Sequence, residues 1–142
     1  MQTLSNIMTT QLYTCSPQDP ISRAAGIMRE HNVGVVPIAD GSHLLGMLTD
    51  RDICIRCVAE GKPATTPCSE AMSDRKLITA TPDMSVDEAA QLMAREQIRR
   101  LPVVDNNRLV GIVAIGDLAV RQTLSDEAGE ALSEISEPAR PV

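Results

Sequence analysis

The chain has 142 residues and a formal net charge of −6, with 43% apolar residues but one Tyr, no Phe and no Trp. That size suits one domain or two small halves sharing a core, and the core must be aliphatic. The acidity argues against binding a phosphate backbone, and the scarcity of rings argues against the stacking platforms of single-strand nucleic-acid binders.

The N-terminus, Met1-Gln2-Thr3-Leu4-Ser5, lacks a basic and then apolar leader pattern, and no run of 18 apolar residues suggests a membrane span. A cytoplasmic location is therefore expected. Cys15, Cys54, Cys57 and Cys68 follow no disulfide-framework spacing, so free thiols are expected.

A short β segment over Leu12 to Cys15 leads to Pro17. Ile21, Ala24, Ala25 and Met28 then recur at i, i+3, i+4 and i+7, which predicts a helix. Asp19-Pro20 offers it a cap and a first-turn proline. Strands are predicted over Val33 to Ala39 and Leu44 to Thr49, joined at Asp40-Gly41. A second helix begins at Thr49-Asp50-Arg51-Asp52. Residues 59–70, with Gly61, Pro63 and Pro67, read as a linker.

The pattern then repeats at a shift of 65 residues. Nine of 37 aligned positions (17–53 against 82–118) are identical, among them Pro37/Pro102, Gly46/Gly111 and Asp52/Asp117. Met8 pairs with Met72 at a shift of 64. The second copy predicts a strand over Leu77 to Ala80, a helix through Val86, Ala89, Ala90 and Met93, and strands over Ile98 to Val104 and Leu109 to Ala114. Ser85 and Glu88 form its capping box, and Asp105-Asn106-Asn107 its turn. This is a duplication. Half a core of this kind is marginal alone, so the halves are expected to pack together. Beyond Thr123 the chain is acidic, with a short helix predicted within Ser125 to Ser136 through Ala128, Leu132 and Ile135.

The strand-to-helix junctions invite two readings. Thr49-x-x-Asp52 is a capping box, worth about 1 kcal/mol, and on one copy alone the cap is the simpler account. A helix start also offers free N–H groups to a phosphate, while an Asp in the first turn can accept two ribose hydroxyls. The second copy keeps Asp117 but has Ala114 in place of the threonine, which favours a separate task for the carboxylate.

Two β-α-β-β-α repeats, with Pro102-Val103-Val104-Asp105 and Gly111-Ile112-Val113 leading to Asp117, resemble a tandem pair of CBS (cystathionine-β-synthase) domains, a Bateman module. The resemblance spans roughly residues 5–124. It implies an α+β fold of two pseudo-symmetric repeats packed sheet to sheet, over 5–58 and 71–124, with linker 59–70 and an acidic tail 125–142. It implies clefts for an adenine nucleotide such as AMP, ADP or ATP, or for NAD or S-adenosylmethionine, and a homodimer. The family's ribose- and phosphate-holding element carries over to Thr49 and Asp52, with Arg51 beside them, and less completely to Asp117.

Arg99 and Arg100 are adjacent on a strand and so point to opposite faces. They read either as solvated charge or, by the resemblance, as phosphate ligands for the Thr49–Asp52 cleft. Their counterparts Gly34 and Val35 offer no charge. One complete site and one degenerate site at Asp117 are expected.

Cys54-x-x-Cys57 lacks a second pair or nearby His for metal, and no nucleophile–base set is evident. Cys15 and Cys54 align with Ala80 and Ala119, as small core fillers would. His31 and His43 are expected at the surface, and Met28 and Met93 in the core. The expected role is a non-catalytic sensor read by an unidentified protein partner. A constitutive dimerisation scaffold with vestigial clefts is the alternative, and a thiol enzyme is a third class without a supporting motif.

Overall fold

A computed structural model describes residues 2–73 and 76–118. The elements in chain order are α1 (Leu4–Ile7), α2 (Ile21–His31), β1 (Val35–Asp40), β2 (His43–Thr49) and α3 (Asp50–Ile53), which runs into a π-helical turn (Cys54–Val58). Then come α4 (Cys68–Ala71), α5 (Val86–Glu96), β3 (Arg100–Asp105) and β4 (Arg108–Ala114). Residues 115–118 begin a further helical turn. The helix anticipated within Ser125 to Ser136 lies outside the described residues.

Each predicted hairpin forms. β1 pairs antiparallel with β2, and β3 with β4, each with a register shift at the same place, Ile38/Ala39 and Val103/Val104. The tight turns need left-handed backbone, which Gly41 supplies at φ 63°, and Asn106 and Asn107 at 51° and 66°.

The expected first strand of each copy shrinks to one bridge. Cys15 donates to Pro37 O (3.1 Å) and accepts from Ala39 N (2.9 Å); Ala80 does the same with Pro102 (2.9 Å) and Val104 (2.8 Å). Pro37 and Pro102 have no N–H to donate to the next carbonyl along, so the ladder stops there.

Helix caps differ from expectation in detail. Pro20, not Asp19, is the N-cap of α2; Asp19 instead accepts from Ser16 N at 2.9 Å. Ser85 accepts from Glu88 N at 3.1 Å. Along α2, Ile21 and Ala24 are buried, Met28 is half-buried and Ala25 is exposed; along α5, Val86, Ala89 and Met93 are buried.

The described residues form two compact units, and these are not cut where the repeats begin. One unit joins the residues up to Leu12 with those from Ile78 onward; the other is Tyr13–Leu77. Each short helix packs with the other repeat's hairpin. In the first unit Leu4 (0% exposed) and Ile7 share a core with Ala80, Met93, Leu101 and Val113. In the second, Cys68 and Ala71 share a core with Cys15, Ile38, Leu48 and Cys57. Much of the stretch that reads as a linker is thus anchored: Thr66 is buried, and Cys68 N donates to Asp19 O at 2.8 Å.

The exchanged helices explain why both third strands carry glycine. A Cβ at Gly46 would stand 2.9 Å from Met72 Sδ. One at Gly111 would stand 2.5 Å from Met8 Sδ, 2.8 Å from its Cγ and 3.1 Å from its Cβ. Met72 presents only its flexible end, whereas Met8 presents its stem. Gly111→Ala should therefore cost about 1–3 kcal/mol by overpacking, and Gly46→Ala less, as urea unfolding would measure. Equal costs would contradict this packing.

Candidate ligand site

The β2–α3 junction is built by its own backbone needs. α3 leaves its first N–H groups without intrahelical partners. Thr49 Oγ1 accepts from Asp52 N at 3.0 Å, and Asp52 Oδ2 accepts from Thr49 N at 2.9 Å. Asp50 N donates to Gly34 O at 3.0 Å, tying the helix start to the residue before β1. The capping box is complete. It fixes the Asp52 carboxylate, whose other oxygen, Oδ1, stands 3.8 Å from Arg56 Nε. Arg51 is exposed beside it.

The second junction keeps half of this arrangement. Asp117 Oδ2 accepts from Ala114 N at 3.2 Å, and Ile115 N donates to Arg99 O at 2.8 Å. Asp117 therefore still caps its helix without the threonine. Its retention has a structural cause, which the comparison of the two copies alone had argued against.

Thr49, Arg51 and Asp52 lie together on the Tyr13–Leu77 unit. Arg99, Arg100 and Asp117 lie on the other, where Arg100 pairs in register with Ala114 at the Asp117 end of the hairpin. Both arginines are exposed. The sequence reading missed Arg56. An Asp and an Arg four apart on a helix were the available signal.

Cys15, Cys57 and Cys68 are buried, but Cys54 is exposed, so it is not the core filler that its alignment with Ala119 suggested. Burial first, and then the facing Cys15 thiol, push Cys68 up to about 12; burial first, and then Asp19, raise Cys15. Cys68 starts from an ordinary value of 9.0, so above pH 9 the unfolded chain sheds a proton that the folded chain keeps. Stability should fall as pH rises from 9 towards 12, and more steeply than in Cys68→Ala. Denaturant melts across that range check this; parallel slopes would contradict it. Among the described residues, no three His, Cys, Asp or Glu side chains gather as a metal site. His31 is half-buried and stacks on Tyr13 at 3.5 Å, and His43 is exposed.

Two duplicated hairpin units, each ending in an Asp-capped helix start, define a tandem repeat module. The chain belongs to the CBS-domain family, whose model matches it twice, over residues 4–58 and 68–122. Each match opens on the short helix that packs in the other repeat's unit. The chain is similar to the CBS domain-containing protein YhcV of Bacillus subtilis, 52% identical over 136 residues, covering 96% of both chains. Hypoxic Response Protein I, solved with two coordinated zinc ions, is 36% identical with TM-score 0.75, covering 83% of this chain and 97% of that one. The CBS domain pair of protein MJ0100, solved with 5′-methylthioadenosine and S-adenosyl-L-methionine, is 32% identical with TM-score 0.74 (83% and 93% covered). No helix among the described residues is long and apolar enough to cross a membrane.

Proposed function

We propose that this protein is a non-catalytic sensor that takes an adenosine-containing ligand at the Thr49–Asp52 junction. The observation that carries this reading is the Asp52 carboxylate. The capping box occupies one of its oxygens and fixes its direction, as a receptor for a vicinal diol requires. The adenosine ligands of the MJ0100 pair support the ligand class. Arg51, Arg99 and Arg100 serve its phosphates, and Asp117 marks a degenerate second site. Repeats 5–58 and 71–124 act together as a cytoplasmic homodimer whose shape or assembly a protein partner reads. Ligand shifts that equilibrium only through differential affinity for the two states.

A second reading has its own observation. Both aspartates cap helices, so both would be kept in a dimerisation scaffold that binds nothing. A thermal-shift screen with AMP, ADP, ATP, NAD and S-adenosylmethionine separates the two. A ligand at 100 times its Kd adds about 2.7 kcal/mol, which lifts a domain of this size by several degrees. A flat profile across all five would leave the scaffold.

A further inference from the structure

Met8 and Met72 hold matching places in the two units. Each is the C-cap of an exchanged short helix, with its N–H donating back to Leu4 O at 2.8 Å or to Cys68 O at 2.9 Å. Each lays its sulfur over a strand glycine: Met8 Sδ stands 2.5 Å from a Cβ built on Gly111, and Met72 Sδ 2.9 Å from one built on Gly46. Both residues pack against the aliphatic core of their unit yet are only half-buried, unlike Met93, which is 1% exposed.

The duplication has kept this pairing while its surroundings changed. The buried positions of the short helices differ, Leu4 against Cys68 and Ile7 against Ala71, but both methionines and both glycines remain. A seat over bare glycine suits an unbranched, adaptable side chain. The same choice leaves a thioether on a residue that solvent still reaches, and a thioether can be oxidised to a polar sulfoxide.

We propose that Met8 and Met72 are modification sites at which hydrogen peroxide unseats the two short helices. The thioether sulfur attacks one peroxide oxygen, and the S–O bond forms as the O–O bond breaks. Sulfur is oxidised and the peroxide reduced; the departing hydroxide takes the proton of the S–OH group and leaves as water. The new oxygen is polar, and its seat is apolar and already too close for one added carbon. At Gly111 the stem of Met8 fills the space as well, with Cγ at 2.8 Å and Cβ at 3.1 Å, so the helix must shift with its side chain. At Gly46 the next atoms of Met72 stand at 3.6 and 3.8 Å, so its end can swing out alone. Oxidation at Met8 therefore loosens the protein more than oxidation at Met72.

Treatment of the full chain with hydrogen peroxide tests it, followed by a thiol reductant that reverses disulfide and sulfenic oxidation but leaves sulfoxides. Peptide mass spectrometry should find an added oxygen on Met8 and Met72 while Met93 stays unmodified. At fixed urea the unfolded-to-folded ratio should rise about tenfold, as a polar group without a partner in an apolar seat requires. Met8→Leu should remove most of that rise, Met72→Leu a smaller part, and the double variant nearly all of it. Native chains that resist oxidation at both positions, or a double variant that peroxide destabilises as much as wild type, would overturn the proposal. Partly oxidised wild type answers the same question should a leucine variant not fold. Protease in moderate urea should then remove chains with Met8 sulfoxide first, and equal loss of oxidised and unoxidised chains would overturn it.

Discussion

Leu4→Ala should destabilise the protein by about 2–5 kcal/mol, the cost of emptying a fully buried leucine site. The residue lies within a dozen positions of the N-terminus, where such a change is usually tolerated. Here it is not peripheral. Leu4 is 0% exposed in the core around Met93, Leu101 and Val113. Its helix is fastened by backbone bonds from Leu4 N to Met84 O at 2.9 Å and from Ser5 N to Pro82 O at 3.0 Å. Thr9 and Ile112 exchange two more, at 2.9 and 3.0 Å. Removing residues 2–12 should be worse still, because Ile7 and Met8 leave with Leu4. Urea unfolding followed by circular dichroism measures both, with Ser5→Ala, at an exposed position, as the near-neutral control. A truncated chain with the midpoint of wild type would contradict the exchange of short helices between repeats.

Asp52→Ala should weaken an adenosine ligand by about a hundredfold or more. Two hydroxyls donating to a carboxylate form hydrogen bonds to a charged group, worth about 1.5–3 kcal/mol each, and every 1.4 kcal/mol is tenfold. The substitution also removes the acceptor for Thr49 N, costing about 1 kcal/mol of stability. Binding must therefore be read at a temperature where the variant is folded. Asp52→Asn separates the two effects: its amide oxygen can still accept from Thr49 N, while the charge that draws both hydroxyls is gone. It should unfold close to wild type yet bind poorly. Asp117→Ala should lower stability through Ala114 N and change the main affinity less than about threefold. Titration of the three variants with AMP checks these values.

The fold was legible where chemistry is local. Turn residues at Asp40-Gly41 and Asn106-Asn107, and apolar spacing through Ile21, Ala24, Val86 and Met93, placed the hairpins and helices within a few residues. Where the outcome depended on a distant partner, it was not. Nothing around Cys68 announces that residues 68–71 belong to the core of the first repeat, because that follows from packing against Cys15 and Asp19 some fifty residues earlier. The short first strands failed for a subtler reason: Leu12 to Cys15 has strand-like residues, but its partner strand offers Pro37 where a donor is needed. At the site, the sequence singled out Asp52 correctly as a first-turn carboxylate. It overstated what the loss of Thr49's counterpart means, since the Asp117 carboxylate caps its helix through Ala114 N without any hydroxyl.

Titration calorimetry of wild type with the adenosine ligand that most raises the melting temperature tests the central claim most directly. One strong site per chain is predicted, lost in Asp52→Ala, weakened in Arg99→Ala and Arg100→Ala, and retained in Asp117→Ala. Two equivalent sites per chain, or binding that survives Asp52→Ala and disappears in Asp117→Ala, would contradict it.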